Sequence, residues 1–200
     1  MTLSKTVKTI LETHIRLIEE EEWDMFFERI QEDYIPSTVN DVARAIEHCG
    51  IFPLKKMTFI PEGYYLLSEL STYDIPPNIM RLCYKSFAIS DIKSIHIPSS
   101  IQEIGESAFE SCDFLHTVTM DYGVLYIGDN AFYNCDELES VYLPKSLVSI
   151  GHNVFNSCDK LTKISYEGTM SEWKTVRNHE FITEGSYISN VICSDGVIEL

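Results

Sequence analysis

Residues 95–118 read IHIPSSIQEIGESAFESCDFLHTV, residues 118–141 read VTMDYGVLYIGDNAFYNCDELESV, and residues 141–164 read VYLPKSLVSIGHNVFNSCDKLTKI. The three align without a gap. Gly105, Gly128 and Gly151 fall 23 residues apart, as do Phe109, Phe132 and Phe155, and Cys112, Cys135 and Cys158. Ile104, Ile127 and Ile150 keep the same step, and so do Leu115, Leu138 and Leu161. Self-similarity at a fixed period of this size marks an architecture of stacked repeats. A looser copy, LSTYDIPPNIMRLCYKSFAISDIK over residues 70–93, precedes the three; it is one residue short after Phe87 and lacks the cysteine.

Apolar residues alternate through one short segment of each copy: Ile95/Ile97, Val118/Met120, Val141/Leu143 and Ile164/Tyr166. A period of two predicts a short strand with those side chains on one face. In the segment I-G-x-x-A-F the apolar residues lie three to five apart, which suggests one helical or 3₁₀ turn. Each copy is therefore expected to be a strand, a bend, a helical turn and a return. One copy cannot stand alone. Six or seven buried side chains contribute about 10–20 kcal/mol, whereas ordering 23 backbone units costs more, at about 1–2 kcal/mol each. Copies must stack, each covering the apolar face of the next, so that the strands build a parallel sheet.

The columns then have readable roles. The phenylalanines should form a buried spine, and the glycines should mark a backbone conformation that a Cβ would hinder. The cysteines are expected to be free, buried thiols behaving as small hydrophobes. Neighbouring strands lie about 4.7–4.9 Å apart, so distance alone does not forbid a bridge, but stacked side chains point in parallel, which disfavours one. Outward strand positions should form a central column of Asp74, His96, Thr119, Tyr142 and Ser165. Beside it should run Thr72, Ser94, Thr117, Ser140 and Lys163, with Asp121 and Glu167 just beyond.

The pattern C-x-x-L-x-x-V-x-M/L followed by I-G-x-x-A-F closely resembles the BspA-like (Treponema-type) leucine-rich repeats of bacteria, which also occur in phages. The resemblance covers about residues 56–200, and the tail YEGTMSEW (Tyr166 to Trp173) with VICSDG (Val191 to Gly196) looks like the segment that closes such arrays. It implies an α+β repeat solenoid, a right-handed leucine-rich repeat coil with short parallel strands on one face. It also implies that the sheet face docks a protein. The candidate partner-binding residues are Asp74, His96, Thr117, Thr119, Asp121, Ser140, Tyr142, Lys163 and Ser165, with Tyr142 as the anchor, since tyrosine is enriched at interface hot spots.

The domain reading is a helical N-terminal cap or head over 1–55 and a repeat domain over 56–200. Within the latter lie the degenerate copy 70–93, regular repeats over about 94–163 and a C-terminal cap over 164–200. Leu3, Val7, Ile10, Leu11, Ile15 and Ile18 form a stripe at helical spacing. Trp23, Phe26, Phe27 and Ile30 predict a second helix, one that Glu21 and Glu22 begin. Val42, Ala43, Ile46 and Cys49 predict a third, opened by Ser37 or Thr38 and ended by Gly50. Such helices would cover the open end of the stack. KKMTFIPEGYY reads as a short strand leading into the array.

The N-terminus has no apolar core of signal-peptide type and no stretch approaches a membrane span, so the expectation is a cytoplasmic protein of a bacterial host cell. Fifteen Lys and Arg against 31 Asp and Glu give a net charge of −16. A surface so acidic repels phosphates, which argues against direct nucleic-acid or anionic-membrane binding. Hydrophobic residues at 44% argue against wholesale disorder. No C-x-x-C pair, Walker loop, nucleophile elbow or EF-hand string occurs, and the six histidines show no ligand spacing. Asp113, Asp136 and Asp159 form a column that is better explained by the turn preference of aspartate than by calcium. The expectation is therefore no catalysis, no cofactor and no metal. The leading reading is a protein-interaction scaffold. A second is an acidic phage-encoded inhibitor, anti-CRISPR-like, of a host defence nuclease or another nucleic-acid-binding enzyme. A third, a glycan-binding surface protein, would need export.

Overall fold

The computed structural model describes residues 58–60 and 62–200, so the three helices expected over 1–55 lie outside the described residues. From Phe59 onward the chain coils as a solenoid, and successive coils build two sheets, the smaller all parallel and the larger parallel up to its last strand. The smaller sheet stacks two-residue strands: β1 (Phe59–Ile60), β2 (Arg81–Leu82), β4 (Glu103–Ile104), β6 (Tyr126–Ile127) and β8 (Ser149–Ile150). The larger has six strands: β3 (Ser94–Ile97), β5 (Thr117–Met120), β7 (Ser140–Leu143), β9 (Lys163–Tyr166), β10 (Asn190–Cys193) and β11 (Gly196–Glu199), in spatial order β11-β10-β9-β7-β5-β3. Equivalent residues of successive repeats pair: Ile95 with Val118, Val118 with Val141, and Tyr142 with Ser165. The apolar residues of the alternating pattern point into the core, as expected.

The phenylalanine column is a stack of rings. Phe87, Phe109, Phe132 and Phe155 lie nearly coplanar in angle, with centroids 5.1, 5.1 and 5.5 Å apart. Tyr65 extends the stack, 4.9 Å from Phe87. The segment read as a lead-in strand is thus a further coil: Phe59–Ile60 pairs with Arg81–Leu82, and Tyr65 holds the aromatic position. A tyrosine in place of phenylalanine and the missing cysteine hide this coil in the sequence.

The I-G-x-x-A-F segment is not a helical turn. Ile104, Ile127 and Ile150 end the strands of the smaller sheet, and a run of tight turns follows. In these turns alternate N–H groups go different ways. Those of Ala108 and Glu110 donate backward within the coil, to Gly105 and Ser107 carbonyls. Those of Ser107, Phe109 and Ser111 donate across to the next coil, to Asp129, Ala131 and Tyr133. A helix would spend all of them internally. The alternation needs left-handed residues, and Ser107, Ser111, Asn130, Asn134, Asn153 and Ser157 have φ between 53° and 59°. Asparagine is several-fold enriched in that region.

The glycine column answers to a different constraint from the one expected of it. Gly105, Gly128 and Gly151 do not adopt positive φ. A Cβ on Gly128 would lie 2.7 Å from the Glu106 nitrogen and 2.9 Å from the Gly105 carbonyl carbon. The obstacle is therefore the backbone of the preceding coil, and glycine sets how closely coils stack.

The thiols of Cys112, Cys135 and Cys158 are free, buried and hydrogen-bonded to the carbonyls of Phe87, Phe109 and Phe132 at 3.2, 3.2 and 3.0 Å. Ser90 ends the column where the short copy lacks cysteine, with its Oγ 3.4 Å from the Cys112 sulfur. Burial pushes the Cys135 thiol well above its ordinary value.

The C-terminal end is closed on two sides. Short helix α1 (Met170–Trp173) starts with a reciprocal cap: the Thr169 hydroxyl accepts from the Glu172 N–H, and the Glu172 carboxylate accepts from the Thr169 N–H. It buries Trp173 edge-on to Tyr166, 5.1 Å away. The 3₁₀ turn His179–Thr183 follows. The His152 ring stacks on Phe181 at 4.0 Å, and Glu184 accepts from the Asn153 N–H, tying this turn to the last regular repeat. Strand β10 then joins β9 in parallel and β11 folds back on β10 antiparallel, so a hairpin ends the larger sheet.

Candidate functional site

The larger sheet holds its outward side chains in register because every strand repeats the same two-residue alternation. One row crosses it: His96, Thr119, Tyr142, Ser165, and then Ile192 and Val197 of the closing hairpin. A parallel row contains Ser94, Thr117, Ser140, Lys163 and Asn190. Asp121 and Glu167 directly follow β5 and β9, bordering the first row with negative charge. Eight of the nine residues singled out from sequence are therefore neighbours on this face.

Asp74 is the exception. It is exposed, but it lies on no strand, and β3 is the last paired strand on that side of the sheet. Tyr73 occupies the place that Ile95, Val118 and Val141 hold in the regular repeats. Its larger ring packs 4.6 Å from Tyr65 and 5.4 Å from Phe87 by centroid, and we attribute the missing ladder to that bulk.

The two halves of the row differ in chemistry. At the β3–β5 end, the His96 Nδ1 shares a hydrogen bond with the Thr119 hydroxyl at 3.1 Å, and its Nε2 lies 3.3 Å from the Asp121 carboxylate. Those polar groups already have partners. At the other end Tyr142, Ile192 and Val197 are 49%, 37% and 55% exposed. Only the short Ser165 side chain separates Tyr142 from Ile192. Exposed apolar groups gathered in one place mark an interaction surface more strongly than scattered ones.

Ile192 and Val197 escaped the sequence reading because they lie past the last regular repeat. A signal existed. In VICSDGVIEL, Val191 and Cys193 alternate with Ile192, and the polar pair Ser194-Asp195 before Gly196 supplies a two-residue turn. The turn folds β11 back so that Val197 pairs with Ile192 on the same face.

Several of the remaining titratable groups form surface pairs. Lys160 donates to Glu137, which holds that carboxyl below its usual value, and His116 lies 3.7 Å from the same carboxylate. Desolvation, reinforced by the Asp136 charge, raises the carboxyl of Asp113 in the aspartate column. Among the described residues, no group of three or more His, Cys, Asp or Glu side chains is arranged to hold a metal ion, and no helix is long and apolar enough to cross a membrane.

Comparison with known proteins agrees with this geometry. The leucine-rich repeat protein of Treponema pallidum is 22% identical, with a TM-score of 0.50 over 62% of this chain and 59% of its own. A leucine-rich repeat protein of Bacteroides capillosus is 26% identical, with a TM-score of 0.48 over 52% of this chain and 82% of its own. The pneumococcal vaccine antigen PcpA is 24% identical, with a TM-score of 0.45; the match covers 61% of this chain but only 26% of the antigen, so this chain spans a minor part of that protein. None of the curated proteins matches. Residues 55–192 match the family described as "BspA type Leucine rich repeat region (6 copies)", a span that includes the early coil built on Phe59–Ile60 and Tyr65. With equivalent residues paired from coil to coil across both sheets, the chain belongs to the BspA-type leucine-rich repeat family.

Proposed function

We propose that the chain is a non-catalytic scaffold that binds a protein partner through the outward face of its larger sheet. The observation that carries this reading is the exposed apolar row of Tyr142, Ile192 and Val197, set on strands that the solenoid core holds in register. Rigid strands present these groups without an ordering cost at the moment of binding. The polar residues around them, Thr117, Ser140, Lys163 and Ser165, supply a rim whose hydrogen bonds give specificity more than energy.

The test is affinity capture from bacterial lysate with the wild-type chain and with a Tyr142→Ser/Ile192→Thr double variant. Both substituted side chains are exposed, so the fold should persist, as circular dichroism will verify. The partner recovered by wild type should be lost from the variant; equal recovery refutes the reading. The inhibitor alternative rests on net charge, and salt distinguishes it. An electrostatic decoy loses affinity steeply as ionic strength rises, whereas a contact centred on Tyr142 weakens little.

A further inference from the structure

We propose, building on the reading above, that the segment this face accepts is an amphipathic α-helix with a basic flank, lying across strands β7 to β11. The direction of the apolar row is the first reason. Tyr142, Ile192 and Val197 are on three different strands, so a partner strand running alongside them would touch one at a time. An element that meets all three must cross the sheet.

Spacing is the second reason. Adjacent strands are about 4.8 Å apart, so the row from β7 to β11 spans about 14 Å. A helix covers that distance in about ten residues. Its side chains at i, i+3 and i+7 recur about 4.5 and 10.5 Å along the axis, close to the one-strand and two-strand steps of the row. An extended chain presents side chains on one face at about 6.8 and 13.6 Å, so it can reach Val197 but misses Ile192, two strand steps or about 9.6 Å from Tyr142. Ser165, the small residue between Tyr142 and Ile192, leaves the place where one partner side chain would sit.

Charge is the third reason, and it sets the orientation. Glu167, which follows β9, and Asp195, in the turn between β10 and β11, lie on one long side of the row, both exposed, on a chain of net charge −16. Across the row lies Lys163 on β9, with Glu199 farther along the same side on β11. A helix with Lys or Arg along one flank only would place that flank over the two carboxylates and keep it from Lys163. A second copy of this chain fits less well, because it would bring the same acidic border and the same negative charge to the contact.

The experiment uses the full chain and a synthetic 18-residue helical peptide, labelled with fluorescein. The peptide carries Leu at four positions spaced i, i+3, i+7 and i+10, with Lys on one flank. A control has the same composition in scrambled order. Fluorescence anisotropy should show the helical peptide binding at least tenfold more tightly than the scrambled one. Tyr142→Ser and Ile192→Thr should each weaken it about tenfold or more. Glu167→Gln should weaken it severalfold and flatten its dependence on salt, and Ser94→Ala, at the far end of the sheet, should leave it unchanged.

No binding, equal binding of the scrambled peptide, or indifference to Tyr142→Ser overturns the helix. So does concentration-dependent self-association in sedimentation that Val197→Lys abolishes, which would make a second copy the occupant. If the peptide fails while lysate capture still depends on Tyr142, the helix is wrong and the protein-binding face stands. If capture is also indifferent to Tyr142, both readings fall.

Discussion

Replacing Phe132 by alanine tests the stacked-coil architecture at its centre. The ring has no solvent exposure and lies between two others, 5.1 Å from Phe109 and 5.5 Å from Phe155. Truncating a buried phenylalanine costs about 3–5 kcal/mol, from lost transfer energy and from the cavity left behind. The cavity cannot close easily, because the backbone on both sides is fixed by bonds from coil to coil, Phe109 N–H to the Ala131 carbonyl and Phe132 N–H to Val154. For a domain of this size the loss corresponds to a fall in Tm of about 6–20 °C. Phe155 supplies an internal comparison. It has a ring neighbour in the column on one side only, and each aromatic pair is worth about 0.5–1.5 kcal/mol beyond its area. Phe132→Ala should therefore cost about 0.5–1.5 kcal/mol more than Phe155→Ala. Urea unfolding at neutral pH, followed by far-UV circular dichroism and tryptophan fluorescence, gives both numbers. A loss below about 1 kcal/mol for Phe132→Ala, or a cost that does not exceed that of Phe155→Ala, would refute the continuous ring stack as the source of cohesion.

Gly128→Ala should destabilise by about 1–3 kcal/mol despite alanine's lower chain entropy, because the new Cβ would meet backbone at 2.7 Å rather than a movable side chain; a urea midpoint at or above that of wild type would show that the coils can spread. Ile89 has φ 54° and is 48% exposed, a costly conformation for a β-branched residue with little burial to offset it. Ile89→Asn should raise stability by about 1 kcal/mol, as the other coils' use of asparagine and serine implies, and a lowered melting temperature would contradict this. Hydrogen bonds from the Thr169 N–H and hydroxyl hold the Glu172 carboxyl below its ordinary value of 4.5, so their stabilisation is present above that pH and is lost as pH falls through the lowered value. Glu172→Gln should accordingly be less stable than wild type at neutral pH and match it in strong acid; a gap that persists unchanged in acid would dismiss the cap as its cause.

What sequence disclosed here followed from identity between copies. The period-two alternation located the strands of the larger sheet, and identical columns located the ring stack and the thiol column, because residues that occupy one place in successive coils face one environment. The smaller sheet stayed hidden for a physical reason: two residues are too few to show a period, and Ile101 and Ile104 are three apart because the chain bends between them. Left-handed turns were hidden as well, since serine and asparagine there look like ordinary loop residues until their N–H groups are traced to the next coil. The face was legible where strands repeat and failed at both ends. Asp74 dropped out because its segment does not join the sheet, which ends at β3, while Ile192 and Val197 came in because a hairpin extends the sheet beyond the period.

That the apolar row falls at the closing end follows from how a solenoid divides its labour. Inward positions are fixed by the need to match the coil before and the coil after, so Phe, Cys, Leu and Gly recur. Outward strand positions touch no neighbouring layer; the larger sheet is held by its own ladder, and the other sides of each coil by the smaller sheet and the turn ladder. Side chains on the outward face can therefore change with little effect on folding. The row uses that freedom unevenly. His96, Thr119 and Asp121 satisfy one another, so a partner would have to break those contacts to exploit them. Tyr142, Ile192 and Val197 carry apolar surface that only an incoming group can bury. Stability and binding should thus separate cleanly: Phe132→Ala should weaken the fold, whereas Tyr142→Ser should leave the free energy of unfolding within about 0.5 kcal/mol of wild type and abolish partner capture. A Tyr142→Ser protein that unfolds as readily as Phe132→Ala would show that the outward face belongs to the core after all, and the assignment of binding to that face would lose its physical basis.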